Sequence, residues 1–241
     1  MMSRSQNKGT AVVTGASSGI GSVYASRLAQ RGYDLMLVSR DSLRLDKLGK
    51  EIAAKTGRNA EALPADLTVK NDLWRIEERL RSDDHITALV NNAGFGGAAK
   101  LIDSNVEEMD NMIQLNVVAL TRLTSAVLSG FIKRSNGVII NILSVVALSP
   151  ELKTECIAAP RLFVVNLTQS LHNEVEVEVK DNGVLVQAVL PGAVRTQFWD
   201  RAKMPVQSLP KEIVMTAEQL VDASLAGLDQ GELITIPSLP Q

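Results

Sequence analysis

Short runs of β-branched and aliphatic residues alternate along this chain with stretches whose apolar positions recur every three to four residues. "TAVVTG" (10–15), "YDLMLVS" (33–39), "AEALPAD" (60–66) and "ITALVNN" (86–92) read as strands. Helices are predicted between them over Ile20–Arg31, Ser42–Thr56 and Lys70–Arg81. The strand segments are apolar at nearly every position rather than at every second one. Such uniformity predicts strands covered on both faces, hence parallel strands joined by crossover helices in a doubly wound α/β sheet.

The second half continues the alternation. "EEMDNMIQLNVVALTRLTSAVLSGFIKR" (107–134) predicts a short helix leading into a longer one, followed by strand "GVIINIL" and a helix ending near Lys180. "EVEVEVK" (174–180) has the period of a strand. A helix is nevertheless expected there, because "DNG" (181–183) marks a turn and "VLVQAVL" after it needs a crossover helix to return parallel to the sheet. "ELITIP" completes a predicted seven-stranded, mostly parallel sheet with helices on both faces. With no repeat or Pro/Gly-rich linker, one domain spanning 1–241 is expected.

Composition narrows the function classes. Aromatic residues are only 3%, so base-stacking platforms are not expected, and 25 basic against 27 acidic residues offer no basic run for a phosphate backbone. Nucleic acid is excluded as an expected partner. The single cysteine, Cys156, fits a reducing compartment. "MMSRSQNKGT" has no apolar stretch for a signal peptide, and no apolar run approaches the length that spans a bilayer, so a cytoplasmic protein without membrane contact is expected. No metal site is predicted.

"VVTGASSGIG" places Gly15, Ser17, Ser18, Gly19, Ile20 and Gly21 between the first strand and the first helix. Glycines there permit a tight turn and close backbone approach, and the helix N-terminus favours a pyrophosphate. In a strand-turn-helix unit this predicts a dinucleotide site of Rossmann type. The second strand ends in "VSRD". Arg40, in place of the acidic residue that accepts a ribose 2′-hydroxyl, suits a 2′-phosphate and favours NADP(H) over NAD(H). The alternative is a solvated arginine beside Asp41 acting as a helix cap.

"TGASSGIG" together with "NNAG" (Asn91–Gly94) resembles the short-chain dehydrogenase/reductase family, and the likeness covers nearly the whole chain. The resemblance implies cofactor contacts from Asn92, Ala93 and Gly94, an adenine contact from Asp66 and Leu67, and a nicotinamide-side loop "PGAVRT" contributing Pro191, Gly192, Val194 and Thr196. It also implies a catalytic-helix asparagine at Asn116, a catalytic serine at Ser144, and dimers or tetramers. Taken singly, each has an ordinary explanation: Asp66 as a turn former, Asn116 as a satisfied polar residue in a helix, Ser144 as a strand-end hydroxyl.

In that family a tyrosine protonates the substrate carbonyl while the nicotinamide gives a hydride, and a lysine four residues later lowers the phenol's pKa and holds the ribose. The family's register places these residues at Ile157 and Arg161. Ile157 has no proton to give, and Arg161 retains charge without relaying protons. No substitute is expected from Tyr24, Tyr33, Cys156, His85, His172 or Lys153. Pro160 is tolerated best in a helix's first turn, so the helix is expected to start near 157–160. Two functions follow: an NADP-dependent oxidoreductase of small carbonyl or alcohol substrates with another proton donor, or a non-catalytic dinucleotide-binding sensor, regulatory or assembly subunit. The substrate end is expected in the loop 197–215, with Phe198 and Trp199.

Overall fold

The computed structural model describes residues 7–96, 104–148, 155–178, 183–196 and 214–237, with backbone alone for 155–158 and 177–178. The loop 197–215 expected at the substrate end therefore lies outside the described residues as far as 213. The first half folds as β1 (Thr10–Thr14), α1 (Gly19–Gln30), β2 (Asp34–Ser39), α2 (Ser42–Thr56), β3 (Ala60–Pro64), α3 (Lys70–Ser82) and β4 (Ile86–Asn91). The second comprises α4 (Val106–Ile113), a π-helical turn Gln114–Ala119, α5 (Leu120–Arg134), β5 (Gly137–Ile142), a 3-10 turn Val145–Leu148, α6 (Glu155–Glu178) and β6 (Val184–Val189). It closes with β7 (Ala193–Val194), β8 (Val214–Met215), α7 (Ala217–Asp229) and β9 (Ile234–Thr235).

Seven strands pair in the order β3-β2-β1-β4-β5-β6-β9, every pair parallel. Successive side chains on each strand enter opposite cores. Val13, Leu35, Leu37 and Val90 pack with Leu28 and Ala25 of α1 and Leu220 and Leu225 of α7. Val12, Met36, Leu89 and Ile139 pack with Ile76 of α3, Leu123 and Phe131 of α5, and Leu171 and Val175 of α6. The apolar continuity of the strands thus reflects a sheet buried on both faces.

Local signals set the cleanest boundaries. Asp41 caps α2 by accepting the Arg44 N–H at 3.0 Å, and Gly57 ends it at φ 69° in the left-handed region. Tertiary burial decides 174–178: α6 continues through Glu178, because Val175 on its inner face is only 2% exposed. A buried carboxylate ties α3 to α5. Glu77 receives both the Nε and, at 2.8 Å, the Nη2 of Arg122, and the Arg81 Nη2 at 3.3 Å.

Two expectations are corrected, and one set of elements was not foreseen. α6 begins by Glu155, so Pro160 sits in its second turn and deprives the Cys156 carbonyl of its ladder donor. α7 and the short β7–β8 pair were not expected, although Thr216 and Gln219 form a capping box that marks α7's start. Val106–Arg134 forms a continuous 29-residue helical rod whose most apolar window has a mean hydropathy of 1.5, long and apolar enough to cross a bilayer by length and composition. Its inner face, Leu120, Leu123, Ala126, Val127 and Phe131, is instead buried in the cores.

Removing Arg122 leaves Glu77 buried with only Arg81. Arg122→Ala is expected to lower the unfolding free energy by about 3 kcal/mol. Urea titration should show this as a lower midpoint with an unchanged slope.

Candidate dinucleotide cleft

The carboxyl ends of β1 and β4 are held together by one hydroxyl. Thr14 Oγ1 donates to the Val90 carbonyl at 3.2 Å and accepts the N–H groups of Asn92 and Ala93, each at 3.0 Å. The Asn92 amide nitrogen donates back to the carbonyls of Thr14 at 2.9 Å and Gly15 at 3.3 Å. These bonds bring the two glycine-bearing turns together. Gly15 has φ +66°, and a Cβ there would lie 2.8 Å from Asn92 Nδ2. A Cβ on Gly21 would lie 2.4 Å from the Gly15 carbonyl oxygen.

The N-terminus of α1 opens into this space. Ser18 is extended at φ −166° and makes no side-chain cap, and the first turn carries no acid. Free N–H groups and the positive helix end therefore face the opening, an arrangement that fits a pyrophosphate. The opening is one end of a cleft of about 760 Å³ that runs across the sheet's carboxyl edge to Ser144, Arg161 and Pro191.

At the β2–β3 end, Arg40 and Arg44 both line the cleft. Arg40 Nη1 lies 3.8 Å from Asp66 Oδ2 and its side chain is 71% exposed. Asp66 Oδ1 accepts from Thr68 N at 3.0 Å and Thr68 Oγ1 at 2.7 Å, so this carboxylate also shapes its own turn. Asp41 caps α2 and pairs with Arg44 at 3.2 Å.

At the other end, Asn116 lies within the π-helical turn and clamps the segment after "NNAG". Its amide accepts from Phe95 N at 3.2 Å and donates to the Phe95 carbonyl at 2.8 Å. Ser144 follows β5, its hydroxyl donating to the Pro191 carbonyl at 3.3 Å. Arg161 projects from α6. Its Nη1 donates to the Leu143 carbonyl at 2.6 Å, while its buried Nε has no hydrogen-bond partner among the described residues. Among the described residues no carboxylate pairs with it. Burial pushes its pKa down to about 10, so it stays charged at neutral pH.

Of the residues the sequence nominates, Gly15, Ser17, Ser18, Gly19, Ile20, Arg40, Asp66, Leu67, Asn92, Ala93, Gly94, Asn116, Ser144, Arg161, Pro191, Gly192, Val194 and Thr196 all border the one cleft. Gly21 does not; it packs behind the turn against Gly15. Ile157 lies in the first turn of α6, with its side chain outside the described residues. Sequence reasoning missed Arg44, in the first turn of α2, and the apolar wall of Leu115, Leu120, Val146 and Val164. The available signal was a second arginine in the helix turn that directly follows Arg40.

The other proton-bearing candidates sit elsewhere. Tyr24 is fully buried and donates to Ser224 of α7 at 2.5 Å, and burial raises its phenol well above the usual range. Tyr33 packs against the α1-side core. His85 contacts Asp83 at 3.3 Å before β4, and His172 contacts Glu176 at 3.3 Å along α6. Lys153 lies outside the described residues, as does the Cys156 side chain.

The sequence profile described as short chain dehydrogenase matches residues 9–205. Among solved structures, a short-chain dehydrogenase from Sphingobium yanoikuyae in complex with NADPH is 45% identical, with a TM-score of 0.91 over 97% of this chain and 89% of that one. A bulky-bulky ketone specific alcohol dehydrogenase from Comamonas testosteroni is 41% identical, with a TM-score of 0.86 over 98% of this chain and 88% of that one. An uncharacterized oxidoreductase of Staphylococcus epidermidis is 35% identical over 219 residues, 87% of this chain and 90% of the relative. With its seven-stranded parallel sheet and its glycine turn beside "NNAG", the chain belongs to the short-chain dehydrogenase/reductase family.

Proposed function

We propose that the cleft binds NADP(H) and that the chain serves chiefly as a dinucleotide-binding sensor or regulatory subunit. One observation supports this reading: a cofactor cradle meets a reaction end at which, among the described residues, no side chain of ordinary acidity borders the cleft. At that end the described polar side chains bordering the cleft are Asn116, Ser144 and Arg161. Asn116 is committed to Phe95 and Ser144 to Pro191, while Arg161 holds a fixed charge. Ile157 stands where the family resemblance implies a phenol.

The dinucleotide, when bound, supplies or accepts a hydride. The residues of this chain bind and orient it. The α1 N-terminus and the turn from Gly15 to Gly19 suit the pyrophosphate. Arg40 and Arg44 offer two guanidinium groups to a 2′-phosphate, which favours NADP(H) over NAD(H). Asp66 and Leu67 wall the adenine end, Pro191 meets Ser144 at the far end, and Thr196 lies against the Gly19 turn.

A second reading is a carbonyl reductase that draws its proton from water, with Ser144 polarising the carbonyl. The 41% identity to a ketone-specific alcohol dehydrogenase and the apolar wall of Leu115, Leu120, Val146 and Val164 favour it. Self-association is proposed through the outer faces of α5 and α6, where Leu162 and Phe163 are exposed. A cytoplasmic location accords with the lone cysteine.

NADPH binding without reduction of a ketone and aldehyde panel is the expected result. Turnover at rates ordinary for an enzyme, on the order of 1–10³ per second, would favour the second reading. Any residual turnover should fall roughly a hundredfold in Ser144→Ala. Arg40→Asp should weaken NADPH roughly tenfold or more while leaving NADH within a few-fold, measured by calorimetry. Ile157→Tyr with Arg161→Lys should raise reduction, yet stay below the triple variant that adds Pro160→Ala, because Pro160 interrupts the second turn of α6.

A further inference from the structure

The 2′ end of the cleft balances its cations with anions. Among the described residues that border it there, Arg40 and Arg44 stand with two carboxylates, Asp41 and Asp66. Arg44 Nε lies 3.2 Å from Asp41 Oδ2, and Arg40 Nη1 lies 3.8 Å from Asp66 Oδ2. Behind them the Asp66 N–H donates to Asp72, which pairs with Arg75 at 3.5 Å, so that second pair adds no net charge. The two guanidinium groups therefore face a ligand with their charge already matched.

The two carboxylates are held by their own turns. Asp41 Oδ1 caps α2, and Asp66 Oδ1 accepts from Thr68 N and Thr68 Oγ1. Asp66 is thereby fixed with Oδ2 as the oxygen nearest Arg40. At 3.8 Å that contact is too long for a hydrogen bond, so Arg40 is drawn to Asp66 by charge rather than locked to it. A 2′-phosphate brings about 1.5 to 2 negative charges to the same end. It gains from Arg40 and Arg44 but meets the fixed charges of Asp41 and Asp66. A ribose hydroxyl carries no charge, escapes that repulsion, and can donate to a carboxylate oxygen. Both effects narrow the advantage of the phosphate-bearing cofactor.

We propose that Asp66 is a specificity-determining residue of the cleft: its charge beside Arg40 holds the preference for NADP(H) to a modest value, and NAD(H) binds the same end. The inference rests on the reading of the cleft as a dinucleotide site with its adenosine end at Arg40 and Asp66. The family resemblance gives Asp66 an adenine contact, which both cofactors share. Discrimination concerns the 2′ group alone, so the ratio of the two affinities isolates it from everything else the residue does. Arg40 is largely exposed and Asp66 partly so, and salt at physiological strength screens such charges over about 8 Å. The effect is therefore several-fold rather than of many orders of magnitude, and it depends on salt.

Calorimetric titration of the full chain with NADPH and with NADH, at low and at high salt, tests this. NADPH is expected to bind tighter than NADH by about tenfold or less. Asp66→Asn keeps an oxygen for Thr68 but removes the charge, and it should raise that ratio about threefold or more at low salt, whatever happens to the shared adenine contact. At about 1 M salt, where the screening length shortens to ~3 Å, the gain should fall within roughly twofold. A preference for NADPH greater than about tenfold in the unaltered chain overturns the inference while leaving the cofactor site standing, and this comparison needs no variant. A ratio unchanged in Asp66→Asn, or a gain that persists at high salt, also overturns it. Tighter binding of NADH than of NADPH overturns the role of both arginines, and failure of both to bind overturns the cofactor site itself; the inference falls with either.

Discussion

The hydrogen bonds around Thr14 set the spacing on which the cleft depends. Parallel strands leave their last backbone groups without sheet partners at the carboxyl edge, and the Thr14 hydroxyl takes up three of those groups from β4 and the segment after it. The Asn92 amide returns the tie to β1. The turn at Gly15 and the turn after β4 are therefore built as one unit, with room for a ligand but not for a side chain at Gly15 or Gly21.

A second run of bonds extends that rigidity across the sheet. Asn91 Nδ2 donates to Thr124 of α5 at 3.0 Å and to Asn141 of β5 at 2.9 Å, and Asn141 donates to Thr168 of α6 at 2.9 Å. Thr168 in turn bonds the Val164 carbonyl, one turn past Arg161, at 2.7 Å. These side chains are buried, and although the Asn91 Oδ1 has no hydrogen-bond partner among the described residues, the bonds that are made fix one arrangement of the group. The reaction end is thus held to the cradle by the core itself. Its reactive groups, however, come from β5, α6 and the segment after β6, separate in sequence from the cradle. That separation lets the chemistry of one end change while the other keeps its form.

The sheet and most helices were legible because each rested on a local signal: uniformly apolar strands, Asp41 and Gly57 bracketing α2, glycine turns at strand ends. That the nominated residues border one cleft was legible for the same reason, since strand ends and the turns after them converge on one edge. What escaped was set by distant contacts. The isolation of Arg161 depends on the absence of a carboxylate among its described neighbours, which no local pattern encodes. Asp66 proved to serve both its own turn and the cleft wall, two roles that the sequence left as alternatives. Helix α6 extended N-terminal to Pro160 because a single missing ladder bond did not outweigh the continuity of a long buried helix.

The π-helical turn around Asn116 adds one residue to the helical repeat. An extra residue shifts everything after it by about 100° around the axis relative to an unbroken α-helix. Met112 of α4 and the buried face of α5 therefore do not follow one unbroken α-helical repeat. Deleting Gln114 or Leu115, just before Asn116, would take out the extra residue and swing α4 to a new bearing relative to the Asn116 amide and α5. The rod's angular offset therefore ties the bearing of α4 to the place where Asn116 holds Phe95 at the cleft mouth.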